Sequence, residues 1–286
     1  MESNISNIAI TECPRDAMQG MPVWIPTEQK IKYLNSLLNC GFDVLDFGSF
    51  VSPKAIPQMK DSALVLEGLQ ESSTQLLAII ANGRGALEAS KYERITFLGY
   101  PYSVSETFQL RNTGANFEQT WIELDQITQT AQQHNKKLRI YLSMGFGNPY
   151  QDQWSEEVVC DAVEKLSSRF DIAQFALSDT IGCATPEITR NLFSLLVNNF
   201  TQHHFAAHLH VVRGKENALI AAAIEGGCRH FDTAIGGFGG CPMAKDELTG
   251  NLATEALLDY LNQHQIENKL NRDEFDTARQ ISTTIF

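Results

Sequence analysis

Short apolar runs alternate with amphipathic stretches eight times along this chain. Runs of strand length fall at 5–10, 44–47, 76–80, 95–98, 138–144, 172–177, 204–210 and 230–233. Helices are predicted between them at 27–39, 63–71, 86–90, 117–134, 155–169, 186–199, 215–225 and 251–264, with a further helix at 273–281. Punctuation supports several of these bounds. Thr27 reads as an N-cap with Glu28 in the first turn, Ser155 as another, and Pro186 as a first-turn proline. Gly41 and Gly226-Gly227 stand where helices would stop. A long loop is expected between the fourth strand and residue 117.

Short buried strands that alternate with helices imply parallel pairing through right-handed crossovers. Eight such units in roughly 250 residues is the size of a closed barrel. The expected fold class is therefore α/β, a (β/α)8 TIM barrel with an additional C-terminal helix, in a single domain over residues 1–286. An open doubly wound sheet is the alternative, but no Gly-x-Gly-x-x-Gly follows the first run.

Composition narrows the function classes. A hydrophobic content of 43% and a charged content of 20% are those of an ordinary globular protein. The net charge of −12 disfavours general binding to nucleic acid or anionic membranes, so an anionic small ligand would need a local basic group or a metal. Cysteines at 13, 40, 160, 183, 228 and 241 form no Cys-x-x-Cys pair, which fits reduced thiols. No apolar run approaches the roughly 18–20 residues of a membrane span, and the first residues lack the pattern of a signal or transit peptide. A cytoplasmic location is expected.

The chemistry-bearing residues gather at predicted strand ends, where the loops of a barrel converge on an active site. Arg15 and Asp16 follow the first strand, and Asp46 and Ser49 close the second. Asn82 follows the third, and Ser178-Asp179-Thr180 the sixth. His208 and His210 end the seventh, and the glycine-dense stretch Gly236-Gly237-Phe238-Gly239-Gly240-Cys241 follows the eighth. Period-two alternation puts both imidazoles on one side of their strand. Asp16, His208, His210 and Asn251 together offer a mixed nitrogen and oxygen set suited to Mg2+ or Mn2+, with Zn2+ or Co2+ as alternatives. Arg15 would either set a fixed positive charge against a developing oxyanion or form a structural ion pair. Cys241 would be a general acid or a small buried hydrophobe. Asp46 and Asp179 would orient Arg15 or a ligand histidine, or cap a loop; Ser49 and Asn82 are equally well read as caps.

Several of these stretches also resemble a known family. Cys13-Pro14-Arg15-Asp16-Ala17-Met18-Gln19 is similar to the Pro-Arg-Asp-Gly-Leu-Gln opening of 3-hydroxy-3-methylglutaryl-CoA lyases, of the DRE-TIM metallolyase superfamily. The segment from Ser49 to Met59, Ser178-Asp179-Thr180-Ile181-Gly182, Gly239-Gly240-Cys241-Pro242 and Gly250 to Glu255 match further on, so the resemblance runs from about residue 8 to 262. It implies cleavage of a 3-hydroxy-3-methylglutaryl thioester to acetyl-CoA and acetoacetate. Asp16, His208, His210 and Asn251 would then hold the divalent metal or its water, and Arg15 would polarise the thioester carbonyl. His208 or Asp16 would take the hydroxyl proton, and Cys241 would protonate the departing carbanion. Arg15, Asp46, Asn82 and Asp179 would bind substrate, with Asp46 where the family has glutamate. A homodimer is a family-level expectation.

The chain departs from the family in places. His208-Leu209-His210-Val211-Val212-Arg213-Gly214 replaces a His-x-His-Asp pattern followed by a Tyr-Gly-like turn, and Ala17-Met18 replaces Gly-Leu. A lysine common after the first motif has no match in Gly20-Met21-Pro22-Val23-Trp24, and Asn148 stands where a cysteine often does. The competing readings are a lyase acting on a related 3-hydroxyacyl-CoA, a Claisen-type condensing enzyme of the same superfamily, and a ligand-binding barrel without turnover.

Overall fold

The structure is a computed structural model that describes residues 7–240 and 249–286. Strand β1 (Ala9–Glu12) runs into a short helix α1 (Pro14–Gln19), then α2 (Thr27–Asn39) and β2 (Val44–Ser49). The units that follow are α3 (Ser62–Glu67), β3 (Gln75–Ile79), α4 (Gly83–Ser90), β4 (Ile95–Ser103), α5 (Glu106–Thr113), α6 (Phe117–Gln133) and β5 (Lys137–Ser143). Next come α7 (Glu156–Arg169), β6 (Ile172–Asp179), α8 (Pro186–Asn199), β7 (His204–Val212), α9 (Glu216–Glu225) and β8 (His230–Thr233). A short β9 (Thr249–Asn251) precedes α10 (Thr254–Gln263) and α11 (Arg272–Ser282).

Strands β1 to β8 pair in parallel, each with its sequence neighbour, and β1 pairs with β8 to close the barrel. The expected (β/α)8 barrel with an extra C-terminal helix is the fold observed. No helix among the described residues is long and apolar enough to cross a membrane.

Four local expectations differ from the structure. Residues 5 and 6 lie outside the described residues, and the first strand starts later, at Ala9. The loop expected before residue 117 contains α5, which Ser105 caps by accepting from the Phe108 amide and which Gly114 ends in the left-handed region. Arg15 and Asp16 lie on a helix rather than a loop, because Pro14 supplies a helical φ at its first position. Thr27 is not a cap: Pro26 precedes the helix, and the Thr27 hydroxyl instead donates to Asp61.

Two apolar clusters hold the barrel together. The larger fills the layer between helices and strands; the smaller, of Val44, Leu77, Phe97, Tyr141, Ala176 and Ala206, lies inside the barrel. The inner cluster is small because polar groups share that space. Arg139 is fully buried, with Nη1 donating to Thr11 Oγ1 (3.0 Å) and Nη2 to Asp232 Oδ1 (2.5 Å). His230 Nε2 lies 2.7 Å from Thr11 Oγ1, and its Nδ1 lies 2.6 Å from Gln174 Nε2. Burial and the neighbouring Arg139 push the His230 imidazole down to about 4, so it is neutral at physiological pH. The fixed charges of the floor are therefore Arg139 and Asp232.

A buried pair that loses one partner leaves an uncompensated charge. Arg139→Ala is expected to destabilise the fold by about 3–5 kcal/mol in urea denaturation. Arg169→Ala, which breaks an ion pair with Asp125 that is half-exposed on the surface, should change stability by less than about 1 kcal/mol.

Candidate active site

The paired imidazoles come from the alternation of β7. His208 is the cross-strand neighbour of Asp232 on β8, and its Nδ1 lies 3.1 Å from Asp232 Oδ2. This contact directs Nε2 into the barrel mouth. His210 sits two residues higher and places Nδ1 3.0 Å from the Thr180 carbonyl, to which it donates. That bond assigns its proton, so Nε2 is a bare acceptor. Among the described residues His210 Nε2 is buried without a hydrogen-bond partner, and it lies 4.0 Å from Asp16 Oδ2. The two rings are 5.5 Å apart.

Asn251 joins them by a route that the sequence pattern misreads. It was expected to start a helix, but it lies on β9, antiparallel to β7, with His210 as its cross-strand partner. The chain reverses through Gly236, Gly237, Gly239 and Gly240, all at positive φ, and returns along the end of β7. Gly250 is required there: a Cβ would stand 2.1 Å from the Gly237 carbonyl oxygen. Asn251 Nδ2 donates to Asp16 Oδ2 (2.8 Å) and to the Phe238 carbonyl (2.9 Å), which leaves the amide oxygen for a ligand.

Arg15 is buried with Asp46 and Asp16. Nε and Nη2 grip Asp46, with Nη2 2.5 Å from Oδ2, while Nη1 donates to Asp16 Oδ1 (2.9 Å) and Gln19 Oε1 (3.0 Å). Burial opposes its charge, but Asp46 and Asp16 outweigh that and hold the guanidinium protonated. For Asp16, burial is likewise outweighed, by Arg15 and the two histidines, and the carboxylate stays below its usual range. Among the described residues four of the five guanidinium N–H groups are committed, which leaves one on Nη2 for substrate. Arg15 thus makes the structural ion pair and keeps a donor as well.

Asp16, His208 and His210 bring three ligand atoms within 4.8 Å of one another. The unpartnered Nε2 of His210, the oriented Nε2 of His208 and the charged Asp16 fit a divalent cation. Cys13, His208 and Asp232 also converge. They are the poorer donor set, because Asp232 is committed to Arg139 and burial pushes the Cys13 thiol well up.

Other expected residues serve elsewhere. The Asp179 oxygens accept from the Cys183 amide (3.0 Å) and the Ala184 amide (2.8 Å), so this carboxylate shapes the β6–α8 loop rather than orienting Arg15 or a histidine. Asn82 is the N-cap of α4, its amide oxygen accepting from Gly85 N at 2.9 Å. Cys241 lies outside the described residues. Asp232, Arg139 and Gln19 were missed as site residues. A strand-centre acid in Phe231-Asp232-Thr233, two residues from His230, was the available signal for Asp232.

Comparisons with known proteins place the chain in a family. A family model described as HMGL-like matches residues 7–282. The chain belongs to the HMGL-like family. It is 35% identical over 269 residues to the hydroxymethylglutaryl-CoA lyase YngG of Bacillus subtilis, covering 93% of this chain and 88% of that one. It is 31% identical over 267 residues to a 3-hydroxy-3-isohexenylglutaryl-CoA/hydroxymethylglutaryl-CoA lyase of Pseudomonas aeruginosa, with the same two coverages. Among solved structures, an HMG-CoA lyase from Acinetobacter baumannii in complex with coenzyme A and 3-methylmalate superposes with a TM-score of 0.91 at 30% identity, covering all of this chain and 93% of that one.

If Asp232 orients His208, then Asp232→Ala should weaken Mn2+ binding by about 10–100-fold in titrations followed by electron paramagnetic resonance. Asn82→Ala should leave Mn2+ affinity unchanged and cost about 1 kcal/mol of stability as a lost cap.

Proposed function

We infer that this chain is a carbon–carbon lyase that cleaves 3-hydroxy-3-methylglutaryl-CoA into acetyl-CoA and acetoacetate. The observation that carries the reading is the convergence of Arg15 and the Asp16, His208, His210 and Asn251 set at one barrel mouth. Relatives named for this activity, matched over nearly the whole chain, support it.

Asp16, His208, His210 and Asn251 would hold a divalent cation, Mg2+ or Mn2+ by the hardness of the set. Such an ion lowers the pKa of a bound hydroxyl and polarises an adjacent oxygen. The protein's own residues supply the rest. His208 Nδ1 is taken by Asp232, so Nε2 is the nitrogen it has left for the site. One of the two expected bases, His208 or Asp16, would accept the proton of the tertiary hydroxyl. As the C2–C3 bond breaks, C3 becomes the ketone of acetoacetate, and the bonding pair moves into the thioester as an enolate. The free Nη2–H of Arg15 is the donor for that oxygen. Cys241, assigned from its place in the glycine-rich segment, would return a proton to C2.

A lyase with wider acyl tolerance is a second reading, favoured by the similarity to the relative named for isohexenylglutaryl-CoA. Incubation with a panel of 3-alkyl-3-hydroxyglutaryl-CoA thioesters and Mn2+ should yield acetyl-CoA and, from the methyl substrate, acetoacetate. Acetyl-CoA from none of them overturns the lyase assignment. His208→Ala should lose both turnover and Mn2+ affinity, whereas Cys241→Ala should lose turnover and keep the metal.

A further inference from the structure

Glu12 is the last residue of β1, is fully buried, and has no part in the chemistry above. Its Oε1 accepts from the Ile235 amide at 2.7 Å, and its Oε2 lies 2.6 Å from Thr254 Oγ1 and 3.4 Å from Thr233 Oγ1. Ile235 is where the chain leaves β8 for the glycine-rich reversal, and Thr254 is where it enters α10 after β9. One carboxyl therefore touches both feet of the segment that carries Asn251. The backbone adds a bridge between Ala234 and Ala253, and the Leu252 amide donates to Leu209. Neither of these ties the feet to β1, the strand that leads into Arg15 and Asp16. Glu12 does.

We propose that Glu12 is a positioning residue, whose buried carboxyl fixes the two feet of segment 235–254 to the end of β1 and so sets Asn251 against Asp16 and His210. This rests on the reading of that cluster as the metal-binding mouth of a lyase.

The electrostatics say in which form it works. Tyr33 and Cys40 face the carboxyl from α2 and its end, and Glu255 faces it from α10. No cation pairs with it among the described residues. Burial pushes it up to about 8, against the hydrogen bonds from Thr254 and Ile235, so it is held as the neutral acid over most of the physiological range. As an acid it offers one O–H, which Thr254 Oγ1 can accept while the Thr254 hydroxyl donates to Thr233 Oγ1, 3.0 Å away. A group whose pKa is raised by folding stabilises most at low pH. That contribution is lost as pH climbs from the ordinary carboxylate range to about 8, and is constant beyond.

The test is amide hydrogen exchange of the full-length, metal-free protein from pH 5.5 to 9, corrected for intrinsic rates. In the parent protein, protection of amides 235–240 and 249–254 should fall by up to about tenfold per pH unit up to pH 8 and then level off. In Glu12→Gln it should be independent of that titration, and the difference between the two proteins is the readout. Glu12→Val should show low protection of these amides throughout and bind Mn2+ at least tenfold more weakly, with Glu12→Gln within about twofold of the parent. Equal pH dependence in parent and Glu12→Gln overturns the proposal. So does parent-like protection together with parent-like Mn2+ affinity in Glu12→Val. Should Glu12→Val fail to fold, the Glu12→Gln comparison decides alone. Exchange does not depend on turnover, so an inactive protein whose feet respond to Glu12 would refute the lyase reading and leave this one standing.

Discussion

One carboxylate, Asp232, stands between the floor of the barrel and its mouth. On one side it pairs with Arg139 and on the other it receives His208. Charge inside a desolvated barrel is tolerated only when both signs are present and hydrogen-bonded. Arg139 from β5 and Asp232 from β8 meet that requirement across the lumen, with Thr11 of β1 as a third partner. Burial alone would raise the carboxyl, but Arg139 and His208 hold it well below its usual range, and it stays an anion. A permanent anion beneath an imidazole assigns the proton of that ring and aims its other nitrogen upward. The ion pair that organises the interior thus also orients the first group of the site.

Above this level the site is arranged by charge balance. Among the described residues, Asp16, Asp46 and Asp232 pair with the guanidiniums of Arg15 and Arg139, so three carboxylates meet two fixed cations. One negative charge is left over, in a space where an uncompensated charge is costly. That excess negative charge favours a cation, and His210 Nε2, the one buried imidazole nitrogen without a partner among the described residues, is where it would find a ligand. Arg15 is held by Asp46 from the far side, so its position is set before substrate arrives.

Much of this was legible along the chain. The alternation of apolar runs and amphipathic stretches reports local burial, and local burial is what distinguishes strand from helix. Barrel closure followed, because eight βα units of this length have few other ways to bury both faces of a parallel sheet. His208 and His210 were legible for the same reason, since a period of two leaves no doubt that they share a face. Arg15 and Asp16 were found in sequence, although their helix was not, because six residues are too few for helical periodicity to show.

What the sequence determined by itself was the set of elements, the ligand types and the family resemblance, all of which reside in short segments of chain. Only the tertiary structure decided the partnerships. Asn251 follows a glycine-dense stretch and precedes a helix, and nothing local says that it is a strand residue paired with His210. Asp179 and Asp46 look alike at their strand ends, yet one caps a loop and the other grips Arg15, because each takes the nearest unsatisfied donor. Asp232, Arg139 and Glu12 read as isolated polar residues in apolar strands. Their roles depend on partners 93, 24 and more than 220 residues away, and such distances are bridged only when the sheet closes.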